Sequence, residues 1–127
     1  MSSLIGFKPF NFSEGVPSLS ITKNGLTFNK SCIIKLNYAN YVLLLINEDE
    51  KKLAIQQCDK STPNSVSFYK EGKQTNNMLV RWNSQDLRNT ISKITGWTLD
   101  FDIHRATGEL IKDENAIIFD LTKATVS

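Results

Sequence analysis

The first 64 residues of this chain contain no arginine, and the whole chain of 127 has one histidine, two cysteines and three prolines. Each scarcity removes a class of function. A single histidine with Cys32 and Cys58, which form no C-x-x-C pair, does not complete a four-ligand zinc site. No acidic pair has calcium-loop spacing, so neither metal nor cofactor is expected. The six glycines (Gly6, Gly15, Gly25, Gly72, Gly96, Gly108) are isolated from one another. That excludes a P-loop, a dinucleotide-binding glycine pattern and a Gly-x-Ser-x-Gly nucleophile elbow.

The longest apolar run, Tyr41 to Ile46, is strand-sized and far below the roughly 18 residues of a membrane span. Met1 to Phe12 has no charged segment leading into a long apolar stretch, so no signal peptide is read there. A cytoplasmic protein away from membranes is the expectation, with both cysteines reduced and small hydrophobe-like.

What remains is ordinary globular composition, 40% hydrophobic and 22% charged, in a length that suits one domain. The net charge of +2 makes no case for nucleic acid by itself. It is unevenly spread, however. Residues 1–64 hold seven lysines against five acids, whereas residues 65–127 hold eight basic and eight acidic residues. An anionic partner would therefore touch the first half through lysine.

Residues 1–18 read as an arm broken by Gly6, Pro9, Gly15 and Pro17, packed on the body by Phe7, Phe10 and Phe12. Leu19 to Lys23 alternates like a strand, and Asn24-Gly25 is a type I′ hairpin signal leading into extended Leu26 to Phe28. Asn29 is a good N-cap for a short helix, Lys30 to Leu36. Tyr41 to Ile46 reads as a buried strand, Asn47 to Glu50 as a polar turn, and Lys52 to Gln57 as the return strand with Leu53 and Ile55 inward. Residues 58–77 are mostly linker around one short strand at Val66 and Phe68.

The second half begins with a strand, Met78 to Trp82. Asn83 or Ser84 then caps a helix, Gln85 to Thr95, whose apolar stripe is Leu87, Ile91 and Ile94, and Gly96 ends it. Trp97 to His104 alternates, with Trp97, Leu99, Phe101 and Ile103 on one face and Asp100, Asp102 and His104 on the other. Lys112 to Asn115 is a turn, Ala116 to Leu121 a return strand, and 122–127 a tail.

The two halves, 19–57 and 78–121, thus repeat one order, strand–helix–strand–strand, at an offset near 60 residues. A unit of about 45 residues buries too little apolar surface to offset its chain entropy. Two of them sharing a core would succeed. The expected architecture is α+β: a small β-barrel or swapped-hairpin-like sheet from two pseudo-repeated halves, with two short helices.

The stretch Ile21 to Ile55 resembles the swapped-hairpin domain of AbrB/MazE-type proteins. The likeness lies in Ile21-Thr22-Lys23, the turn Asn24-Gly25, Leu26-Thr27-Phe28, the helix Lys30 to Leu36, and a hairpin around Glu48-Asp49-Glu50. In that family two chains interlock hairpins into a dimeric barrel, and basic residues of the N-terminal strands contact double-stranded DNA. The resemblance implies a non-catalytic transcription-regulator-like module, either a homodimer or a monomer imitating one. It assigns phosphate contact to Lys23, Lys30 and Lys35.

Lysine suits phosphate better than bidentate base reading, which favours arginine. Arg81, beside Trp82 as a stacking platform, joins the nucleic-acid-binding set. The alternative is a phage or mobile-element accessory protein that binds a host protein or sequesters a small ligand. No catalytic set emerges, because His104 beside Asp102 is explained by alternation on a solvated strand face.

Overall fold

The computed structural model describes residues 3–9, 15–70 and 79–127. Phe10, Phe12, Met78 and the turn-rich segment from Gly72 to Asn77 lie outside the described residues. The fold is mixed α+β: a curled, fully antiparallel sheet, in effect a half-barrel, with two helices.

The chain opens with β1 (Ser18–Thr22) and β2 (Gly25–Phe28), a hairpin in register Ile21↔Leu26 and Thr22↔Gly25. The two-residue loop is Lys23-Asn24, one position earlier than the sequence implied, and the turn's positive φ falls on Gly25 (+134°). A type I′ turn on Asn24-Gly25 is therefore corrected. Glycine is needed at 25 for a second reason: a Cβ there would stand 2.2 Å from the Trp82 carbonyl oxygen.

Asn29 caps α1 (Lys30–Lys35), its side-chain oxygen accepting from the Cys32 amide at 3.2 Å. The same oxygen accepts from the Ser18 amide, and its amide nitrogen donates to the Val16 carbonyl. One side chain thus fastens the entry to β1 as well as the helix start. Cys32 and Ile33 are turned into the core.

Next come β3 (Tyr41–Asn47) and β4 (Lys52–Cys58), a long hairpin, then β5 (Val66–Ser67) against the start of β3 and β6 (Val80–Trp82) against β2. The apolar run of β3 is not buried throughout. Val42 is, but Leu45 and Ile46 are 43% and 39% exposed. The cause is position: β5 covers only Tyr41 and Val42, which leaves the rest of β3 at the sheet edge.

Ser84 caps α2 (Gln85–Thr95), and Gly96 closes it in the left-handed conformation (φ +79°) with its amide on the Ser92 carbonyl. Two of the three stripe residues face the core, Ile91 fully buried and Leu87 packed against the cluster, whereas Ile94 is half-buried and outside it.

The sequence misplaced the next strand. Residues 97–103 form a loop, and β7 runs His104–Ile111, followed by a 3-10 turn over Lys112–Glu114, β8 (Ala116–Asp120) and β9 (Thr125–Val126). Trp97 and Leu99 do pack inward from that loop, but Phe101 is 94% exposed. The 122–127 tail is ordered by β9, which pairs with the start of β7. Phe7 is exposed, so it does not hold the N-terminal arm to the body.

The strand order is β5-β3-β4-β8-β7-β1-β2-β6, with β9 beside β7. Laid flat, β5 and β6 would be about 34 Å apart at ordinary strand spacing. Instead the indole nitrogen of Trp82 in β6 donates to the Ser67 carbonyl in β5 at 3.1 Å. The sheet curls until a side chain of one end strand reaches the backbone of the other, without strand pairing between them among the described residues. Phe28, Phe68, Trp82 and Phe119 fill the concave side in edge-to-face and tilted contacts.

Strand β7 is the hinge of the curl. His104 to Thr107 pairs with β1, and Gly108 to Ile111 pairs with β8. The change of partner occurs at Gly108, whose amide bonds the Pro17 carbonyl at 2.7 Å. Both long hairpins keep one register. A shift of 64 residues carries Leu44↔Ile55 onto Gly108↔Phe119 and Asn47↔Lys52 onto Ile111↔Ala116.

Candidate nucleic-acid interface

Strand alternation sets what the convex face presents. On β7, β1, β2 and β6 the inward residues are His104 and Ala106, Leu19 and Ile21, Leu26 and Phe28, and Val80 with the half-buried Trp82. The outward positions between them line up by register. Arg105 opposes Ser20, Ser20 opposes Thr27, and Thr27 opposes Arg81. The result is a transverse row, Arg–Ser–Thr–Arg, across four strands. Three strand spacings separate its ends, about 14 Å between the arginine Cα atoms.

Each guanidinium leans on the hydroxyl beside it. Arg105 Nε donates to Ser20 Oγ at 3.3 Å, and Arg81 Nε donates to Thr27 Oγ1 at 3.4 Å. Among the described residues neither arginine has a carboxylate within ion-pair distance. Both terminal nitrogens of each fork therefore stay available for an anion, in the geometry that favours bidentate oxyanion binding.

The row is the floor of a groove of about 410 Å³. One wall is the Lys23-Asn24 turn, which Arg88 of α2 anchors by donating to the Lys23 carbonyl. The other is the 97–103 loop, contributing Leu99 to Ile103. The lining carries three cations, Lys23, Arg81 and Arg105, and two acids, Asp100 and Asp102.

The structure thus brings together two of the four residues assigned from sequence, Lys23 and Arg81. Lys30 and Lys35 lie on α1 and do not line the groove. Trp82 is not a surface stacking platform, because its ring packs on Phe28 and Phe68 with its nitrogen bonded to β5.

Arg105 was missed because its strand was placed too early. Carrying the 64-residue spacing of the return strands back across the turn would have put the strand at 105–111 and Arg105 at its head.

His104 is also relocated. It is 5% exposed on the inner side of β7, stacked on Trp97 at 3.9 Å and 10°, and neither ring nitrogen has a hydrogen-bond partner. It does not face Asp100 and Asp102 across a polar strand surface. Among the described residues no group of His, Cys, Asp and Glu is arranged to hold a metal ion, and no helix is long and apolar enough to cross a membrane. Both cysteines are free thiols, Cys32 buried and Cys58 half-buried.

No protein-family model, curated protein or solved structure matches this chain.

Proposed function

We propose that this protein is a nucleic-acid-binding module that grips phosphates on the convex face of its sheet. The observation that carries the reading is the Arg105–Ser20–Thr27–Arg81 row, with two guanidiniums held by hydroxyls and neither in an ion pair among the described residues. Lys23 at the groove's end adds a third cation. The groove lining keeps a formal excess of one positive charge, three cations against two acids, and unpaired guanidiniums suit the oxyanions of a phosphate backbone.

The reading includes a pseudo-dimer. In it, β2–α1–β3–β4 and β6–α2–β7–β8 are two versions of one unit, so the counterpart of β6 is β2 rather than the first strand at 19–23, which the sequence order matches to 78–82. The support is that counterpart strands pair with each other, β2 with β6 and β4 with β8, antiparallel as a two-fold relation requires. The shared hairpin register is a second support. The two units differ in β1 and in the loop after the helix, which is longer in the second unit. Those two additions supply Ser20, Lys23 and the 97–103 wall, so the groove exists once rather than twice.

A titration with labelled nucleic acid at two salt concentrations tests the proposal. Binding should weaken steeply with salt. Replacing Arg81 and Arg105 together by Gln should flatten the slope of log K against log salt by about 1.4–1.8, the value for two lost phosphate contacts. Absence of binding at low salt removes the proposal.

A further inference from the structure

On the strength of that reading, we infer that the strand held in the groove is single, with one of its bases stacked on Phe101. Of the large hydrophobic side chains exposed among the described residues, Phe101 is the most exposed, at 94%. It is not the tip of a slack loop. Before it, Leu99 is buried at 8% and Trp97 lies flat on His104. After it, Ile103 exchanges two backbone hydrogen bonds with Ser127, at 3.1 and 3.0 Å. The loop is pinned on both sides and presents a bare ring at the rim of the arginine-floored groove.

An aromatic ring beside a phosphate-binding floor is the pairing by which single-stranded nucleic acid is recognised. The backbone follows the cations while a base turns out onto the ring. A duplex offers Phe101 nothing, because its bases already stack on one another. It would also bring a phosphate ridge against Asp100 and Asp102, the residues flanking the ring. For a single strand those carboxylates become acceptors for the exocyclic amino groups of a splayed base. The groove, about 410 Å³ and open to solvent, has room for a nucleotide unit lying along its floor.

Fluorescence anisotropy with three labelled probes of about 15 nucleotides tests this: single-stranded DNA, single-stranded RNA of the same sequence, and the DNA duplex. The full chain should bind a single strand at least about tenfold more tightly than duplex, and the DNA and RNA arms show which sugar is preferred. Phe101→Ala should weaken single-strand binding by about 5- to 150-fold, the range for one lost stacking contact, with the salt slope unchanged. Phe101→Trp should retain binding and show fluorescence quenching on saturation.

Because the side chain is exposed, neither variant should lose the wild-type circular dichroism spectrum or melting transition. Equal affinity for duplex, or an unchanged affinity in Phe101→Ala while the Arg81/Arg105 variant binds more weakly with the flattened salt slope, overturns this inference and leaves the phosphate-binding reading standing. No binding of any probe at low salt overturns both.

Discussion

Substituting Gly108 by alanine tests the packing at the hinge of the sheet. A Cβ added at that position would stand 2.5 Å from Ile117 Cγ2 and 2.7 Å from Phe119 Cε1. Ordinary carbon–carbon contact is about 3.5–4.0 Å, so something must move by about 1 Å. Neither neighbour has an easy escape. Ile117 and Phe119 are fully buried, and the clashing atom of Ile117 is a β-branched methyl on a stiff torsion. Gly108 cannot withdraw either, since its amide is bonded to Pro17 and its strand is paired to β8.

Overpacking of this kind costs about 1–3 kcal/mol. For a chain of this size that lowers Tm by about 3–12 °C. Urea unfolding followed by circular dichroism should show a lower midpoint at unchanged m. A double-mutant cycle identifies the cause: Ile117→Ala should be less harmful in the Gly108→Ala background than alone, because it removes the clashing methyl. A Gly108→Ala protein within about 0.5 kcal/mol of wild type, or strictly additive mutations, would refute the steric account.

Three further outcomes follow from the same geometry. Asn29→Ala removes the α1 cap and the ties to Ser18 and Val16, and should cost about 1–2 kcal/mol by urea midpoint. His104→Phe keeps a ring against Trp97 and deletes two buried unpartnered nitrogens, so it should raise stability by about 1–2 kcal/mol. Burial pushes the Cys32 thiol from 9.0 to about 12. The unfolded chain therefore releases that proton first, and stability should fall as pH rises from about 9 toward 12, an effect that Cys32→Ala abolishes.

Helix α2 was legible residue for residue because capping chemistry marks both its ends, Ser84 before and Gly96 after, and Leu87 and Ile91 show its inner face. The return strands β4 and β8 were legible because each is an apolar stretch, Leu53 to Ile55 and Ala116 to Phe119, that follows a polar turn. Strand β7 was not. Its eight residues include Gly108 and Glu109, both disfavoured in strands, with no regular apolar alternation, and it forms because β1 and β8 both pair with it. The preceding Trp97 to Ile103 alternates convincingly, yet pairs with no strand among the described residues, and only Trp97 and Leu99 plug the core. Half of the groove was therefore invisible: Arg105 sits on the unseen strand, and Phe101 was turned inward on a strand that does not form. Lys23, named from the family resemblance, and Arg81, named beside Trp82, both line the groove, one from the β1–β2 turn and the other from β6.

Strand β7 belongs to both arcs of the half-barrel, and this makes it the element the molecule cannot give up in part. Peeling away the β1–β2 hairpin strips one end of it, and releasing the β3–β4–β8 side strips the other. Neither arc has a route to independent melting that spares the common strand. Thermal denaturation should accordingly be one sharp event, and in hydrogen–deuterium exchange the amides of Ala106 through Leu110 should be released only when the whole chain opens.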